Sequence, residues 1–230
     1  MSDLPPERPD QPQAQRSLDA RRSERSTRWI EWLSALLLAL GAVGAAWSGY
    51  EAARWSGVQA TEFSNANGAR QDSVRAAATG GQLVQIDITS FFQVVNAFAA
   101  GQTELQDFYA ERLRPEFEPV FQEWLALDPA SNPDAPLSPF DLPSYSVDEL
   151  ADAERRSLEA EMATERARDA NQNGNDYTVS LVLFSAALFF GGISTKFSST
   201  RSRLIMLGIG TVLFIGVSIW VGSLPKSVSL

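Results

Sequence analysis

The stretch Trp32–Tyr50 (WLSALLLALGAVGAAWSGY) contains no charged side chain and follows an arginine-rich segment. A helix crosses the ~30 Å hydrocarbon core of a bilayer with about 20 residues, so this stretch has the length of a membrane span. Two more apolar stretches, over residues 177–195 and 204–224, occur towards the C-terminus. The sequence therefore predicts an all-α membrane protein with three transmembrane helices, the first over residues 29–53.

The charges around the apolar stretches predict their orientation. Residues 1–28 are rich in Pro, Gln, Ser and Arg and poor in apolar side chains, which predicts a disordered tail. This tail and the turn over residues 196–203 both carry basic side chains next to a span, and basic loops stay in the cytoplasm. We therefore expect a cytoplasmic N-terminus, an extracytoplasmic helical domain over residues 54–176 and an external C-terminus over residues 225–230.

The first span has a second interpretation. A charged leader, an apolar core and the small residues Val43-Gly44-Ala45 are also typical of a secretory signal with a cleavage site. The apolar run continues beyond that site to Tyr50, which favours an uncleaved span. Cleavage stays open as the alternative.

Composition restricts the chemistry of the chain. It has no histidine and no cysteine, which excludes histidine-based catalytic triads and zinc sites built from these residues. The formal net charge is −9, and residues 54–176 alone carry 21 acidic side chains against nine arginines. So acidic a surface disfavours nucleic acid binding, which needs a cationic face. We expect no enzyme activity and no cofactor, and we expect the lipid bilayer as a partner.

Small residues recur along one side of the first span. Gly41, Ala45 and Gly49 are four residues apart, so the backbone of another helix can approach closely there. This spacing predicts a helix-packing face. The neighbour can belong to the same chain or to another subunit, and we expect self-association.

The middle of the chain predicts a helical bundle inserted between the first and second spans. The first helix is expected to continue beyond Tyr50 until Gly80-Gly81 ends it. Two later segments place apolar side chains at helical spacing, which predicts a buried core. These side chains are Phe91, Val94, Val95, Phe98, Phe117, Val120, Phe121 and Trp124.

The rest of the middle region divides into a loop and a helix. Residues 128–145 are proline-rich and lack a helical period, which predicts an extended, ordered loop. The helix that follows carries a narrow apolar stripe of Leu150, Leu158 and Met162 among many alanines, which predicts close packing.

Four separated segments together resemble a family of small bacterial three-span membrane proteins that has no assigned function. In chain order they are WSGYEAARWSGVQA (47–60), DFYAERLRPEFEPVFQEWLAL (107–127), LSPFDLPSY (137–145) and LFFGGISTKF (188–197). The resemblance implies three spans and a bacterial cytoplasmic (inner) membrane location. It implies no activity.

Glu51 and Arg54 are a candidate site at the end of the first span. They lie three residues apart and are predicted to form an ion pair at the level of the outer headgroups. The alternative is a role for these side chains in an ion path, because ionisable groups near a span often mark one.

Residues 169–175 (DANQNGN) match the first half of an EF-hand loop, in which oxygen ligands alternate before a glycine. The last ligand position would be Ser180, which cannot supply the bidentate carboxylate of such a loop. The segment therefore favours a break in the helix near the membrane. The alternative is a metal site; its ligands would be Asp169, Asn171, Asn173 and Asp176.

Two function classes follow from these features. The first is a non-enzymatic membrane protein, assembled as an oligomer, whose extracytoplasmic helical domain senses a signal or binds an envelope protein partner. The alternative is a homo-oligomeric cation channel in which the acidic domain forms an external vestibule. Three helices cannot enclose a pore, so a channel would require several subunits.

Overall fold

The computed structural model describes the chain from Gln11 to Ser227, with side chains described from Arg28 onward. Five α-helices form, and they are α1 (Gln11–Ala99), α2 (Thr103–Ala110), α3 (Glu118–Leu125), α4 (Asp148–Ser194) and α5 (Thr200–Ser223). A short 3-10 helix occupies Pro139–Asp141, and no strand occurs in this part of the chain. The prediction of an all-helical protein is therefore confirmed there.

The two ends of the chain carry predictions that the structure does not address. Residues 1–10 of the expected tail and residues 228–230 of the expected external C-terminus lie outside the described residues. Helix α1 begins at Gln11, within the tail that the sequence predicts to be disordered.

Three helices are long and apolar enough to cross a membrane, as predicted. They are α1 from Arg28 onward, α4 and α5. In the most apolar part of each helix, only 22%, 33% and 17% of the residues are buried within the chain. Large apolar side chains such as Trp32, Val43 and Val212 are exposed instead. Exposed apolar surface on helices of this length is compatible with a lipid environment.

The chain forms two compact units. Unit 1 combines the residues up to Ala60 with those from Ala167 onward, and unit 2 comprises Thr61–Arg166. Helices α1 and α4 contribute residues to both units, α5 belongs to unit 1, and α2 and α3 belong to unit 2.

In unit 1, α1 and α4 pack against each other in antiparallel directions. A Cβ atom at Gly41 would lie 2.6 Å from Leu188 Cδ2, and one at Gly49 would lie 3.9 Å from Leu181 Cδ2. Ala45, between the two glycines, is half-buried. The predicted packing face therefore contacts α4 of the same chain.

Helix α5 approaches α4 equally closely in unit 1. A Cβ atom at Gly210 would lie 3.1 Å from the Ala187 carbonyl oxygen and 3.3 Å from the Gly191 nitrogen. Leu207 of α5 also joins Leu37 of α1 in a buried apolar cluster. The small residues thus bring three helix backbones together.

In unit 2, the same two helices again run antiparallel. Arg166 Nε donates to Glu62 Oε2 at 2.9 Å, and Ser73 Oγ donates to the Ala153 carbonyl at 2.7 Å. From one contact to the next, the residue number increases along α1 (Glu62, Ser73) and decreases along α4 (Arg166, Ala153), as expected for antiparallel helices.

The core of unit 2 is aromatic and forms where α3 packs against the last turns of α1. Its buried members are Phe91, Val94, Leu113, Phe117, Val120, Phe121, Trp124 and Leu142. The prediction from helical spacing is confirmed for six of the eight expected residues, and Val95 is partly buried against the same core. Phe98 differs because its side chain is 61% exposed.

Two predicted helix ends are wrong. Gly80-Gly81 does not end α1, which continues to Ala99, and residues 169–176 do not break α4. A Cβ atom at Gly80 would lie 3.1 Å from the Leu150 nitrogen, and one at Gly174 would lie 3.6 Å from the Ala52 carbonyl oxygen. These two glycines permit close helix contacts and do not form turns.

The prediction that an apolar stripe of α4 forms its packed face is also wrong. Leu150, Leu158 and Met162 are 41%, 54% and 56% exposed. In this part of α4 the buried residues are the alanines Ala153, Ala160 and Ala163. Small side chains allow the close approach of α1. Leu150 still contacts α1, since its Cδ2 would lie 2.7 Å from a Cβ atom at Gly80.

Candidate functional site

Glu51 is fully buried in unit 1. Its Oε2 accepts a hydrogen bond from the backbone nitrogen of Ser227 at 3.0 Å. Tyr177, also fully buried, donates from its hydroxyl to the Pro225 carbonyl at 3.1 Å. Two side chains thus hold the segment after α5 through its backbone.

The predicted ion pair between Glu51 and Arg54 is not formed among the described residues. Arg54 is exposed, whereas Glu51 is turned into the bundle of its own chain. The sequence separation of 176 residues between Glu51 and Ser227 explains why local spacing gave the wrong partner.

Three buried polar atoms of unit 1 lack a hydrogen-bond partner in the described part of the chain. They are Glu51 Oε1, Trp55 Nε1 and Ser227 Oγ. Trp55 follows Glu51 by one helical turn, so both lie on the same side of α1. An unpaired buried polar atom costs about 1–3 kcal/mol, and such atoms mark places that take up water or a small polar group.

Two serine pairs cross the interface between α1 and α4 in unit 1. Ser180 Oγ donates to Ser48 Oγ at 2.9 Å, and the hydroxyl oxygens of Ser34 and Ser194 lie 3.1 Å apart. All four side chains are buried. They hydrogen-bond across the packed helices and therefore do not line an open path.

The candidate metal ligands do not form a loop. Helix geometry places Asp169, Asn173 and Asp176 on one side of α4 and Asn171 on the opposite side. Within the described residues, no group of three or more His, Cys, Asp or Glu side chains could hold a metal ion. The structure thus separates Asn171 from the other three residues that the sequence suggested as ligands.

Unit 2 contains a buried ion pair that the sequence interpretation missed. The Asp87 side chain is completely buried, and the Arg114 side chain is 14% exposed. Arg114 donates from Nε to Asp87 Oδ1 at 3.1 Å and from Nη2 to Asp87 Oδ2 at 2.8 Å. The Tyr145 hydroxyl donates to the same Oδ2 at 3.1 Å. This two-point geometry is typical of strong arginine–carboxylate pairs.

The ion pair changes the acid–base properties of its neighbours. Burial raises the pKa of Tyr145 to about 12, and the negative charge of Asp87 and its hydrogen bond act in the same direction. The hydrogen bond to Asp87 raises the pKa of Arg114, with a further contribution from the charge of Asp87 and from Glu116. Both groups therefore stay protonated at neutral pH and donate hydrogen bonds to Asp87.

The network fixes the aromatic core to the loop that follows α3. Phe117 stacks on Phe140 with ring centroids 5.3 Å apart and an interplanar angle of 3°. Tyr145 contacts both rings edge-on. Trp124 Nε1 donates to the Pro136 carbonyl at 2.8 Å, which holds the proline-rich loop against α3.

A cavity of about 440 Å³ lies between this loop, α3 and the end of α1. Its walls include Phe98, Phe121, Trp124, Asp128 and Leu137. Leu137 is 94% exposed at the rim, and Phe98 is 61% exposed. The volume lies within the range of small-molecule sites, about 300–1,000 Å³, and such sites are largely apolar with a few polar groups. This cavity is the candidate functional site.

Part of this site could be anticipated from the sequence. Helical spacing identified Phe98, Phe121 and Trp124 as one apolar set, but it placed Phe98 inside the core. The positions of Asp128 and Leu137 depend on the path of the loop, for which the sequence offered only its prolines. No local signal paired Asp87 with Arg114.

Comparison with protein-family models, with curated proteins and with solved structures gives no significant match. The resemblance to a small bacterial family therefore stays a prediction. The function has to be argued from the geometry of the two units.

Proposed function

We propose that this chain is a non-enzymatic integral protein of a bacterial cytoplasmic membrane and that unit 2 recognises a ligand or partner outside the cytoplasm. The observation that carries the proposal is the open, aromatic cavity beside the buried core of unit 2. A preformed concave site on a rigid core is the arrangement that binding proteins use.

Membrane insertion is supported by the apolar helices of unit 1. Their outward side chains, such as Trp32, Phe189 and Ile219, are exposed although they are large and apolar. The basic turn around Lys196 supports a cytoplasmic position for the connection between α4 and α5. With that orientation, the acidic unit 2 lies on the opposite side of the membrane.

Self-association is part of the proposal. The packing glycines of α1 are already covered by α4, so they do not remain for a second subunit. Exposed apolar side chains of unit 2, such as Phe63 and Phe92, are the surface that supports an oligomer.

The burial of Glu51 favours recognition over a cation channel. A carboxylate turned into the bundle of one chain would not line a pore between several subunits. The serine hydroxyls between α1 and α4 pair with each other across the interface. A measurement of ion flux through the purified protein distinguishes the two functions.

Orientation can be tested cleanly because the chain contains no cysteine. The variants Ser131→Cys in the loop of unit 2 and Ser198→Cys in the turn before α5 place single thiols at exposed positions. A membrane-impermeant maleimide added to intact cells should label the first and spare the second until the membrane is permeabilised. Labelling of Ser198→Cys alone would overturn the proposed orientation.

Recognition can be tested with a photo-crosslinking residue at Leu137, on the rim of the cavity. The matched control is Val74, which is 64% exposed in unit 2 but lies outside the cavity. We expect a discrete adduct, with a second subunit or an envelope partner, that forms at Leu137 and not at Val74. Equal or absent crosslinking at both positions would contradict recognition of a protein at this site.

A further inference from the structure

The cavity of unit 2 is lined by a single acidic residue and by no basic residue. Among its lining residues, Asp128 is the only charged one, and the others are mainly aliphatic, aromatic or proline. Asp128 adopts a left-handed backbone conformation with φ 50°, and its carbonyl accepts hydrogen bonds from the nitrogens of Ser131 and Asn132. This turn fixes the backbone of Asp128 beside the cavity, and its side chain supplies the one carboxylate among the lining residues.

The arginines nearest in sequence are already engaged elsewhere. The Arg112 guanidinium lies 3.6 Å from the centroid of the Phe108 ring, and Arg114 binds Asp87. The remaining charged side chains on α2, α3 and the adjoining loop are acidic. They are Glu104, Asp107, Glu118, Glu123, Asp128, Asp134 and Asp141. The potential at the cavity is therefore negative, which repels anions and concentrates cations.

The aromatic walls add a second preference for cations. Phe98, Phe121 and Trp124 line the cavity, and a cation near an aromatic face gains about 0.5–2 kcal/mol, depending on desolvation. A strongly hydrated metal ion would gain little from walls that offer one carboxylate. An organic cation can place its charge near Asp128 and its apolar substituents against the rings.

We propose that this cavity binds a free organic cation, namely a tertiary or quaternary ammonium with apolar substituents. The inference deepens the proposed function and rests on it, because the ammonium compound would be the ligand that unit 2 recognises. Size, apolar walls and charge all select for the same class of molecule. Organic anions do not fit the charge, and neutral sugars fit neither the charge nor the apolar walls.

Fluorine NMR of the full-length chain in dodecyl maltoside can test this ligand class, since that detergent contains no ammonium group. Tryptophans are replaced by 5-fluorotryptophan, and the Trp124 resonance is assigned with Trp124→Phe. The probe is benzyltriethylammonium, and the control of opposite charge is 4-tert-butylbenzenesulfonate. We expect a saturable shift of the Trp124 resonance with the ammonium and none with the sulfonate.

Matched variants test whether the charge of Asp128 and the aromatic ring of Phe98 contribute to binding of the ammonium compound. Asparagine also tolerates positive φ, so Asp128→Asn keeps the turn and should raise the Kd about three- to tenfold. Asp134→Asn, in the same loop but outside the cavity lining, should change it less than about twofold, as expected for a screened charge. Phe98→Leu should raise the Kd about three- to fivefold. Phe92→Leu, at a similarly exposed position of α1, should leave it unchanged.

Three results would overturn the inference. They are no saturable shift, equal binding of the sulfonate, or equal effects of Asp128→Asn and Asp134→Asn. Binding in detergent does not depend on membrane orientation, so this failure is distinct from failure of the proposed function. A cytoplasmic unit 2 with intact ammonium binding would refute the function and leave the cavity chemistry in place.

Discussion

A carboxylate removed from solvent needs hydrogen bonds to both oxygens, and Asp87 receives three of them from Arg114 and Tyr145. The guanidinium also neutralises its charge. These three residues come from α1, from the turn after α2 and from the loop before α4, so one buried charge joins three separate segments of unit 2.

Asp87→Asn should destabilise unit 2 by about 3 kcal/mol, because it leaves the Arg114 guanidinium buried with only Glu116 as an acidic partner. The matched control is Asp152→Asn, which removes a carboxylate from an exposed cluster with Arg155 and Arg156. Hydrogen exchange of the amides in residues 82–127 should accelerate strongly in the first variant and little in the second. Equal acceleration would show that the buried pair has no special role.

Tyr145 predicts a loss of stability at alkaline pH. Its pKa rises from 10.0 to about 12 in the folded chain, so folding favours the neutral phenol. The resulting stabilisation is fully present below pH 10 and is lost as the pH rises through about 12. Tyr145→Phe should be less stable at neutral pH, by about 1 kcal/mol for the lost hydrogen bond.

A pH titration of unfolding separates these two effects. Between pH 9 and 12 the stability of the wild type should fall more steeply than that of Tyr145→Phe, because only the wild type can ionise this phenol. The control is Tyr109→Phe, which removes a partly buried hydroxyl from the same core. Identical slopes in the wild type and Tyr145→Phe would contradict the assignment.

At the scale of single residues, the sequence predicted burial better than it predicted partners. Phe117, Phe121 and Trp124 are buried as helical spacing indicates, because the period of a helix is a local property. Glu51 and Asp87 bind groups 176 and 27 residues away. A local sequence pattern does not indicate contacts between residues so far apart in the chain. The sequence therefore predicts Arg54 as the partner of Glu51 and predicts no partner for Asp87.

Among the helices, adjacent glycines of α1 have different roles. A Cβ atom at Gly81 would meet nothing within 4 Å, whereas one at Gly80 would lie 3.1 Å from the Leu150 backbone nitrogen. Gly81→Ala should therefore stabilise unit 2 by about 0.5–1 kcal/mol through helix propensity alone. Gly80→Ala should destabilise it by about 1–3 kcal/mol, because α1 and α4 must separate.

Thermal unfolding of the two alanine variants tests this assignment with the same substitution at neighbouring positions. The transition should rise for Gly81→Ala and fall for Gly80→Ala. If both variants were stabilised, Leu150 would have room to move and the close approach would not limit packing.

Helix boundaries were the least predictable feature at this scale. Gly80-Gly81 and the Asn- and Gly-rich segment before Tyr177 have low helix propensity, which predicts an end or a break. Contacts of α1 with α4 outweigh that propensity, since Gly80 and Gly174 both lie where the other helix passes closely. Long-range packing decides the outcome, and a single sequence does not display it.

At the scale of the whole chain, the apolar segments and the acidic side chains belong to different units. Unit 1 contains the three apolar segments, and unit 2 carries most of the acidic side chains. Hydropathy and composition over long windows predicted this division well, because each averages over many residues. The boundary at Thr61–Arg166 lies inside the predicted domain of residues 54–176. The difference arises because the first turns beyond the apolar run, including Trp55, are packed in unit 1.

This division of charge does not by itself make a channel, and a flux measurement decides the matter. We expect sealed liposomes containing the purified chain to hold sodium and potassium gradients as well as empty liposomes do. The physical reason is that the carboxylate of Glu51 is turned into its own bundle and the serines between α1 and α4 are paired. A path for ions would need polar side chains on exposed faces, where the apolar parts of α1, α4 and α5 expose large apolar side chains such as Leu36, Val182 and Ile215. The mass of the protein in detergent, measured on the same sample, establishes whether the tight liposomes contained the oligomer. Cation-selective flux that is lost in Glu51→Gln and retained in Glu62→Gln would contradict this expectation and make unit 2 the vestibule of a pore.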